Sequence, residues 1–312
     1  MIVPFRSDGP ELRECLAHLE RQTYRSFDVI LVPDEGSSCG AEGVRVVPSG
    51  PVLPNRKRQV AAATTSSPIV AFIDDDAYPA PDWLAAAMRH FEDPHVVACG
   101  GPSVTPPGDS HRQRAGGAVF ASPLVTAGTR HRYVPEARRD VAALPSCNLL
   151  IRRDAFLRDA DASSRYWPGE DILACVFATR NGDRIVYDPA ALVYHHRRAL
   201  FGAHLRQVWN YGRFRGHYLR RFDHSLGSAP YAVPALFVLA HAIVLPLAAR
   251  KNSRAAAAAA IGAYALLVAG SALREARIAR VNPLLVAAGM YATHLTYGGA
   301  TIAGWLRGRS GA

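Results

Sequence analysis

Three consecutive carboxylates, Asp74-Asp75-Asp76, follow directly on the apolar run 69–73. Adjacent carboxylates repel one another unless a cation is close, and hard oxygen ligands of this kind suit Mg²⁺ or Mn²⁺ bridging phosphate groups. In parallel sheets ligands bind beyond the carboxyl ends of the strands, so an acidic triplet leaving a buried strand stands where a site is expected. The alternative is a solvated acidic turn, which the strand leading in and Tyr78-Pro79 leading out argue against. A second pair, Glu170-Asp171, opens a helical stretch after Trp167-Pro168-Gly169. A carboxylate there serves equally as a cap on the helix N-terminus or as a general base within reach of a hydroxyl, and the residues alone leave both readings open. Nucleophilic or zinc chemistry through cysteine is not indicated. The five cysteines are odd in number, scattered and never spaced Cys-x-x-Cys, which fits a reducing compartment and excludes a disulfide scaffold.

The elements that would position these carboxylates alternate between the two hydrophobic periods. Residues 2–5, 27–32, 44–47, 69–73, 96–99, 149–151 and 184–187 read as short strands. Between them, Pro10 opens a helix with Leu12, Cys15, Leu16 and Leu19 at helical spacing, and 55–64, 81–91 and 169–180 read as further helices. This alternation predicts an α/β fold with a mostly parallel sheet covered on both faces, the strand at 96–99 ending a first α/β unit. Residues 102–145 are rich in Gly, Pro, Arg and Ser and are expected to be irregular.

Charge divides the chain differently. The formal net charge is +10, with 36 Lys and Arg against 26 Asp and Glu, but residues 1–196 carry −3, residues 197–223 carry +6 and residues 224–312 carry +7. The last third also holds three long stretches nearly free of charge, 231–249, 255–273 and 283–306, each near the roughly 20 apolar residues that cross a bilayer. The sequence therefore predicts three spans, while arginines after each one leave the positive-inside count without a preferred side. The segment 201–224 interleaves arginines with aromatics. That pattern suits single-stranded nucleic acid or an anionic membrane surface, and a segment directly before apolar helices favours membrane lipids and no nucleic acid. With no positively charged n-region and apolar run at residue 1, the first two hundred residues are expected to fold in the cytosol.

Several segments, in order and spacing, resemble family 2 inverting glycosyltransferases of the GT-A fold, a Rossmann-like nucleotide-diphospho-sugar transferase fold. They are Val3-Pro4-Phe5, the helix ending Gln22-Thr23-Tyr24, the acidic turn 30–37, Arg58-Gln59, Asp74-Asp75-Asp76 as an Asp-x-Asp motif, Ser146-Cys147-Asn148 and Gly169-Glu170-Asp171. The resemblance implies domains at 1–200 (transferase), 201–224 (interfacial segment) and 225–312 (helical membrane region). It implies that Asp171 is the catalytic base, that Pro4, Asp34, Glu35, Arg58, Asp74 and Asp75 face the nucleotide-sugar donor, and that Asp76, Asp74 and His195 hold Mg²⁺ or Mn²⁺. Asn148, Trp167 and Glu170 would lie on the acceptor side. His195 and His196 precede two arginines, so a basic surface is the alternative to a metal ligand there. The chain departs from the family pattern at Pro33, at Gln59 in place of Asn, and in lacking Gln-x-x-Arg-Trp after Gln207, which implies addition of a single sugar. The function implied is transfer of one sugar to a hydroxyl of a lipid-linked or membrane-associated glycan, in the cytoplasmic membrane, by a multi-pass protein with its catalytic domain in the cytosol. The rivals are a polyprenyl-phosphate sugar synthase and a non-catalytic nucleotide-binding scaffold.

Overall fold

The computed structural model describes residues 1–34, 43–158, 168–221, 229–248, 250 and 252–307. In chain order the first elements are β1 (Ile2–Pro4), α1 (Pro10–Leu19), β2 (Val29–Val32), β3 (Val44–Val46), α2 (Pro54–Ala63), β4 (Ile69–Phe72), β5 (Ala77–Pro79), α3 (Trp83–Met88), β6 (Val96–Gly100) and β7 (Ser103–Val104). There follow α4 (His111–Ala121), α5 (Pro123–Thr126), β8 (Arg139–Val141), β9 (Leu149–Arg152), α6 (Arg153–Arg158), α7 (Glu170–Ala178), β10 (Arg184–Tyr187) and β11 (Val193–His195). Four helices complete the described chain: α8 (Gly202–Arg221), α9 (Ala229–Ala248), α10 (Arg254–Ala279) and α11 (Pro283–Arg307). The chain forms two compact units, one of residues 1–104 and 131–196 and one of residues 105–130 and 197–312.

The first unit is built on an eight-stranded sheet in the order β3-β2-β1-β4-β9-β6-β10-β8, with a small second sheet β5-β11-β7. Successive strand residues face opposite sides, and both sides are covered. Ile2, Val70, Phe72, Leu149 and Ile151 enter one apolar cluster, while Val3, Ala71, Ile73 and Leu150 enter the other. That double burial explains the continuous apolar runs. The sheet is less parallel than the alternation implies: β3-β2-β1-β4 and β6-β10 are parallel, but β9 lies antiparallel between β4 and β6, and β8 antiparallel to β10. Strand β6 thus sits inside the sheet and does not end a separate unit. Direction along a sheet is set by connections and pairing, and a local apolar run carries neither.

Backbone approaches are close where β6 leaves the sheet. A Cβ on Gly100 would lie 2.2 Å from the Asn148 carbonyl oxygen, and one on Gly101 2.2 Å from that of Ala191, so both positions require glycine. Gln22 is fully buried, and its Nε2 donates to the Ala80 carbonyl while its Oε1 accepts from the Leu84 amide. The Gln-Thr-Tyr segment is therefore a joint between α1 and α3.

In the second unit, the region expected to be irregular supplies two helices. Ser110 and Gln113 form a reciprocal capping box that starts α4, a Ser-x-x-Gln signal masked by the surrounding Gly and Arg content. Ala115, Ala118 and Val119 of α4 pack with Leu200, Val268, Ala272, Val286 and Met290. Helices α8 and α11 meet backbone to backbone: a Cβ on Gly216 would lie 2.0 Å from the Thr301 carbonyl oxygen, and one on Gly304 2.1 Å from that of Arg213. Such small-residue contacts are how helices approach in lipid.

Of the three spans expected, one helix among the described residues, Arg254–Ala279, is long and apolar enough to cross a membrane, and Ala232–Ala248 is a shorter apolar helix. Helix α11 covers the third stretch, but Thr293, His294, Thr301 and its several glycines lower its hydropathy. The multi-pass expectation is thereby reduced to a single candidate helix. Leu266, Leu267 and Ile278 of α10, like Leu284 of α11, are exposed.

Candidate active site

Parallel strands β1, β2 and β4 deliver Phe5, Asp34 and Asp74 to one edge of the main sheet, just beyond their carboxyl ends. Two buried cations of α2 reach this edge. The Lys57 ammonium, 4 % exposed, donates to the carbonyl oxygens of Phe5 (2.5 Å) and Val32 (3.3 Å) and pairs with Asp34 Oδ1 (2.5 Å). Lys57 went unrecognised in the sequence, where it stands inside Arg56-Lys57-Arg58 and looks like a solvated basic face. It holds the ends of β1 and β2 together and fixes the Asp34 carboxylate. Pro4 closes β1 and is buried, contributing backbone to the edge. Glu35 lies outside the described residues.

Arg58, 3 % exposed, places Nη2 on Asp74 Oδ1 at 2.5 Å and Nη1 3.7 Å from Glu170 Oε1. Its expected orientation toward donor phosphates gives way to a position enclosed between two carboxylates. Asp74, Asp76 and His195 converge, each offering a ligand atom within 4.8 Å of the others. The small sheet causes this: β11 runs antiparallel to β5 with His195 opposite Ala77, so His195 Nε2 comes to 3.2 Å from Asp76 Oδ1. His196 instead pairs with Glu14 at 2.9 Å, which separates the two adjacent histidines into different environments. Two carboxylates and an imidazole in this spacing fit a divalent cation such as Mg²⁺ or Mn²⁺. Asp75, between the two carboxylates, is not part of the convergent set.

The second acidic pair is split by its environment. Gly169 adopts φ 117° ahead of α7, a backbone conformation that favours glycine. Glu170 is 6 % exposed, accepts from the Gly169 amide at 2.9 Å, and has its carboxyl pushed up to about 7, first by burial and then by the neighbouring Asp171 charge. It faces Arg58, not an open acceptor face. Asp171 is partly exposed, with Oδ1 accepting from the Ile172 amide at 2.8 Å and Oδ2 3.4 Å from the Ser146 amide. The helix start thus orients its carboxylate.

Asn148, expected on the acceptor side, is fully buried. Its Nδ2 donates to the carbonyl oxygens of Pro102 (3.1 Å) and Ala191 (2.8 Å), and its Oδ1 accepts from Trp83 Nε1 (2.8 Å). With donors and acceptor engaged, it braces the turn that carries Ser146 and does not present itself to a ligand. Trp167 lies outside the described residues. Burial holds the thiols of Cys99 and Cys175 protonated, each pushed up to about 12, consistent with an absence of thiolate chemistry at these positions.

The family model described as glycosyl transferase family 2 matches residues 1–158. A pre-mycofactocin glycosyltransferase of Mycobacterium tuberculosis is 28 % identical over 211 residues, 64 % of this chain and 42 % of the relative, so the chain spans less than half the length of that relative. Among solved structures, a mannosyltransferase from Pyrobaculum calidifontis in complex with GDP-Man and Mn²⁺ superposes with a TM-score of 0.56 at 20 % identity, covering 99 % of this chain and 87 % of that one. GalNAc-T7 with UDP, GalNAc and Mn²⁺ gives a TM-score of 0.50 at 14 % identity, covering 73 % of this chain and 52 % of that one. These likenesses show the GT-A fold. Matched over more than half its length, the chain belongs to glycosyl transferase family 2.

Proposed function

We propose that the protein transfers one sugar from a nucleotide-diphosphate donor to a hydroxyl of a membrane-associated or lipid-linked glycan, by a metal-dependent inverting reaction. The observation that carries this reading is the convergence of Asp74, Asp76 and His195 at the carboxyl edge of the sheet, joined through Arg58 to the helix start that bears Asp171. The two solved relatives were captured with GDP-Man or UDP, each with Mn²⁺, which supports the same donor class and a cation here. A divalent cation held by Asp74, Asp76 and His195 would offset the charge that builds on a departing diphosphate.

Asp171 takes the proton of the acceptor hydroxyl as its oxygen attacks the anomeric carbon from the face opposite the diphosphate. A single displacement of this kind inverts the anomeric centre and leaves no covalent enzyme intermediate. Asp34, fixed by Lys57, offers the donor's nucleoside a carboxylate, and Asp74 and Asp75 line the donor side. The division of labour follows the domains read from the sequence: a transferase domain at 1–200, an interfacial segment at 201–224 and a membrane region at 225–312, with residues 105–130 lending helices to the last. Membrane attachment is supported by the apolar length of Arg254–Ala279 and by exposed arginines 206, 213 and 220, seven residues apart on α8 and suited to anionic lipid. The catalytic domain then faces the cytosol.

The test is transfer from a panel of radiolabelled nucleotide sugars by membranes containing the protein. Wild type is expected to transfer one donor in the presence of Mn²⁺ or Mg²⁺, and Asp171→Asn and Asp76→Ala to lose that activity. Transfer by either variant at the wild-type rate refutes the mechanism, and full retention by Asp171→Asn points to a phosphate acceptor, which needs no strong base.

A further inference from the structure

Arg58 bears on both acidic sites at once, and the inference drawn from it rests on the transferase reading. Its guanidinium is buried, yet neither Nε nor Nη1 has a hydrogen-bond partner among the described residues. Such a group is costly to bury with donors unmet, and its five N–H bonds are arranged as a fork suited to two acceptors. One tine is closed on Asp74 at 2.5 Å, while the other stops 3.7 Å from Glu170, too far for a hydrogen bond. The two carboxylates belong to different parts of the chemistry. Asp74 is a member of the cation cluster, and Glu170 is the first residue of α7, adjacent to Asp171.

We propose that Arg58 is a positioning residue that couples the cation cluster to the base: shared between Asp74 and Glu170, it closes on Glu170 when a cation draws off the Asp74 charge, and so sets the first turn of α7 and the aim of Asp171. Two consequences follow from the geometry. Arg58 competes with the cation for Asp74, so its removal tightens cation binding. Glu170 acts on the reaction only through the helix start, so its neutralisation slows turnover without touching either cation or donor affinity.

The experiment uses the full chain in detergent micelles and two readouts. The first is titration with Mn²⁺ alone by calorimetry, which does not depend on activity. Arg58→Met is expected to bind Mn²⁺ about tenfold more tightly, a unit charge interaction discounted for the partial exposure of Asp74. Glu170→Gln is expected to bind Mn²⁺ within twofold of wild type, as is Arg58→Lys, which keeps the charge on Asp74 but lacks the fork.

The second readout is kcat and donor KM with the sugar nucleotide found in the transfer screen. All three variants are expected to lose about tenfold to a hundredfold in kcat with donor KM little changed, as for a misaimed base, and Arg58→Met with Glu170→Gln together to lose no more than either alone. Arg58→Lys and Glu170→Gln, close in shape to the native residues, decide the matter if Arg58→Met does not fold. Weaker Mn²⁺ binding by Arg58→Met, a tenfold rise in donor KM at unchanged kcat, or additive losses in the double variant would each overturn the coupling while leaving the transferase reading standing. Absence of transfer from every donor by wild type would remove both.

Discussion

The substitution Asn148→Asp keeps the shape of the side chain and replaces its amide nitrogen by an oxygen. In the native protein that nitrogen donates to two buried carbonyl oxygens, of Pro102 and Ala191, while Oδ1 accepts from Trp83. An ionised carboxylate at this position would set a negative oxygen against both carbonyls, so the folded variant retains a proton there and donates it to the Ala191 carbonyl, while the Pro102 carbonyl keeps its bond from the Val193 amide. The lost bond to Pro102 costs about 1 kcal/mol at every pH. The retained proton adds a pH-dependent loss, because the introduced carboxyl is raised above its unfolded value near 3.9: the variant is at its most stable below that value and weakens as pH rises. Each unit of pH above it costs about 1.4 kcal/mol until the carboxyl ionises in the folded state, or about 4 kcal/mol by pH 7. Urea unfolding of the micellar protein, followed by tryptophan fluorescence at pH 4.5, 5.5 and 7, should show a midpoint that falls with pH in the variant relative to wild type. If the variant matched wild-type stability at pH 7 within about 1 kcal/mol and its defect lay only in acceptor KM, Asn148 would contact the acceptor, and the bracing role assigned to it would be refuted.

Three other outcomes are expected. Glu170, with its carboxyl raised from 4.5 to about 7, favours the folded state less as pH climbs between those values, so Glu170→Gln should flatten the wild-type decline, by an amount on the order of 3 kcal/mol in thermal unfolding compared at pH 4.5 and 7.5. Lys57→Met leaves the Phe5 and Val32 carbonyls and the Asp34 carboxylate without their common donor and should cost about 3–5 kcal/mol, read as a lower urea midpoint, whereas an unchanged midpoint would mean that water replaces the ammonium. Chelation should abolish transfer and added Mn²⁺ restore it, while His195→Ala weakens Mn²⁺ binding by about tenfold or more and His196→Ala leaves it unchanged, a pattern that equal effects of the two substitutions would contradict.

Most of the first unit was legible in the sequence because its signals are local. Apolar runs marked β1, β2, β4, β6 and β10 to within one or two residues, and Pro10, Asn55 and Gly169 marked helix starts to within one residue. Strand direction was not legible: nothing within 149–152 says that β9 runs against its neighbours. Helix α4 was missed because its Gly116-Gly117 pair and its arginines resemble loop composition, although the glycines are there for packing, a Cβ on Gly117 meeting the Thr105 side chain at 2.0 Å. The cation cluster was half visible. Three adjacent aspartates announced it and the family resemblance pointed to Asp74, Asp76 and His195, but the residues do not carry the pairing of β5 with β11 that brings His195 to Asp76.

By themselves the residues determined the class of chemistry, since carboxylates leaving a buried strand and a carboxylate pair opening a helix are statements about charge and backbone direction. They also determined that the last third is apolar and basic, which is a matter of composition. Tertiary structure alone decided the surroundings that each member of a pair meets. Glu170 and Asp171 are neighbours with the same functional group, yet one is enclosed against Arg58 with its carboxyl raised and the other stands partly in the open. Burial and the Asp171 charge raise the Glu170 carboxyl against the opposing pull of Arg58, and burial depends on the folded chain, as does the approach of Arg58, more than a hundred positions earlier.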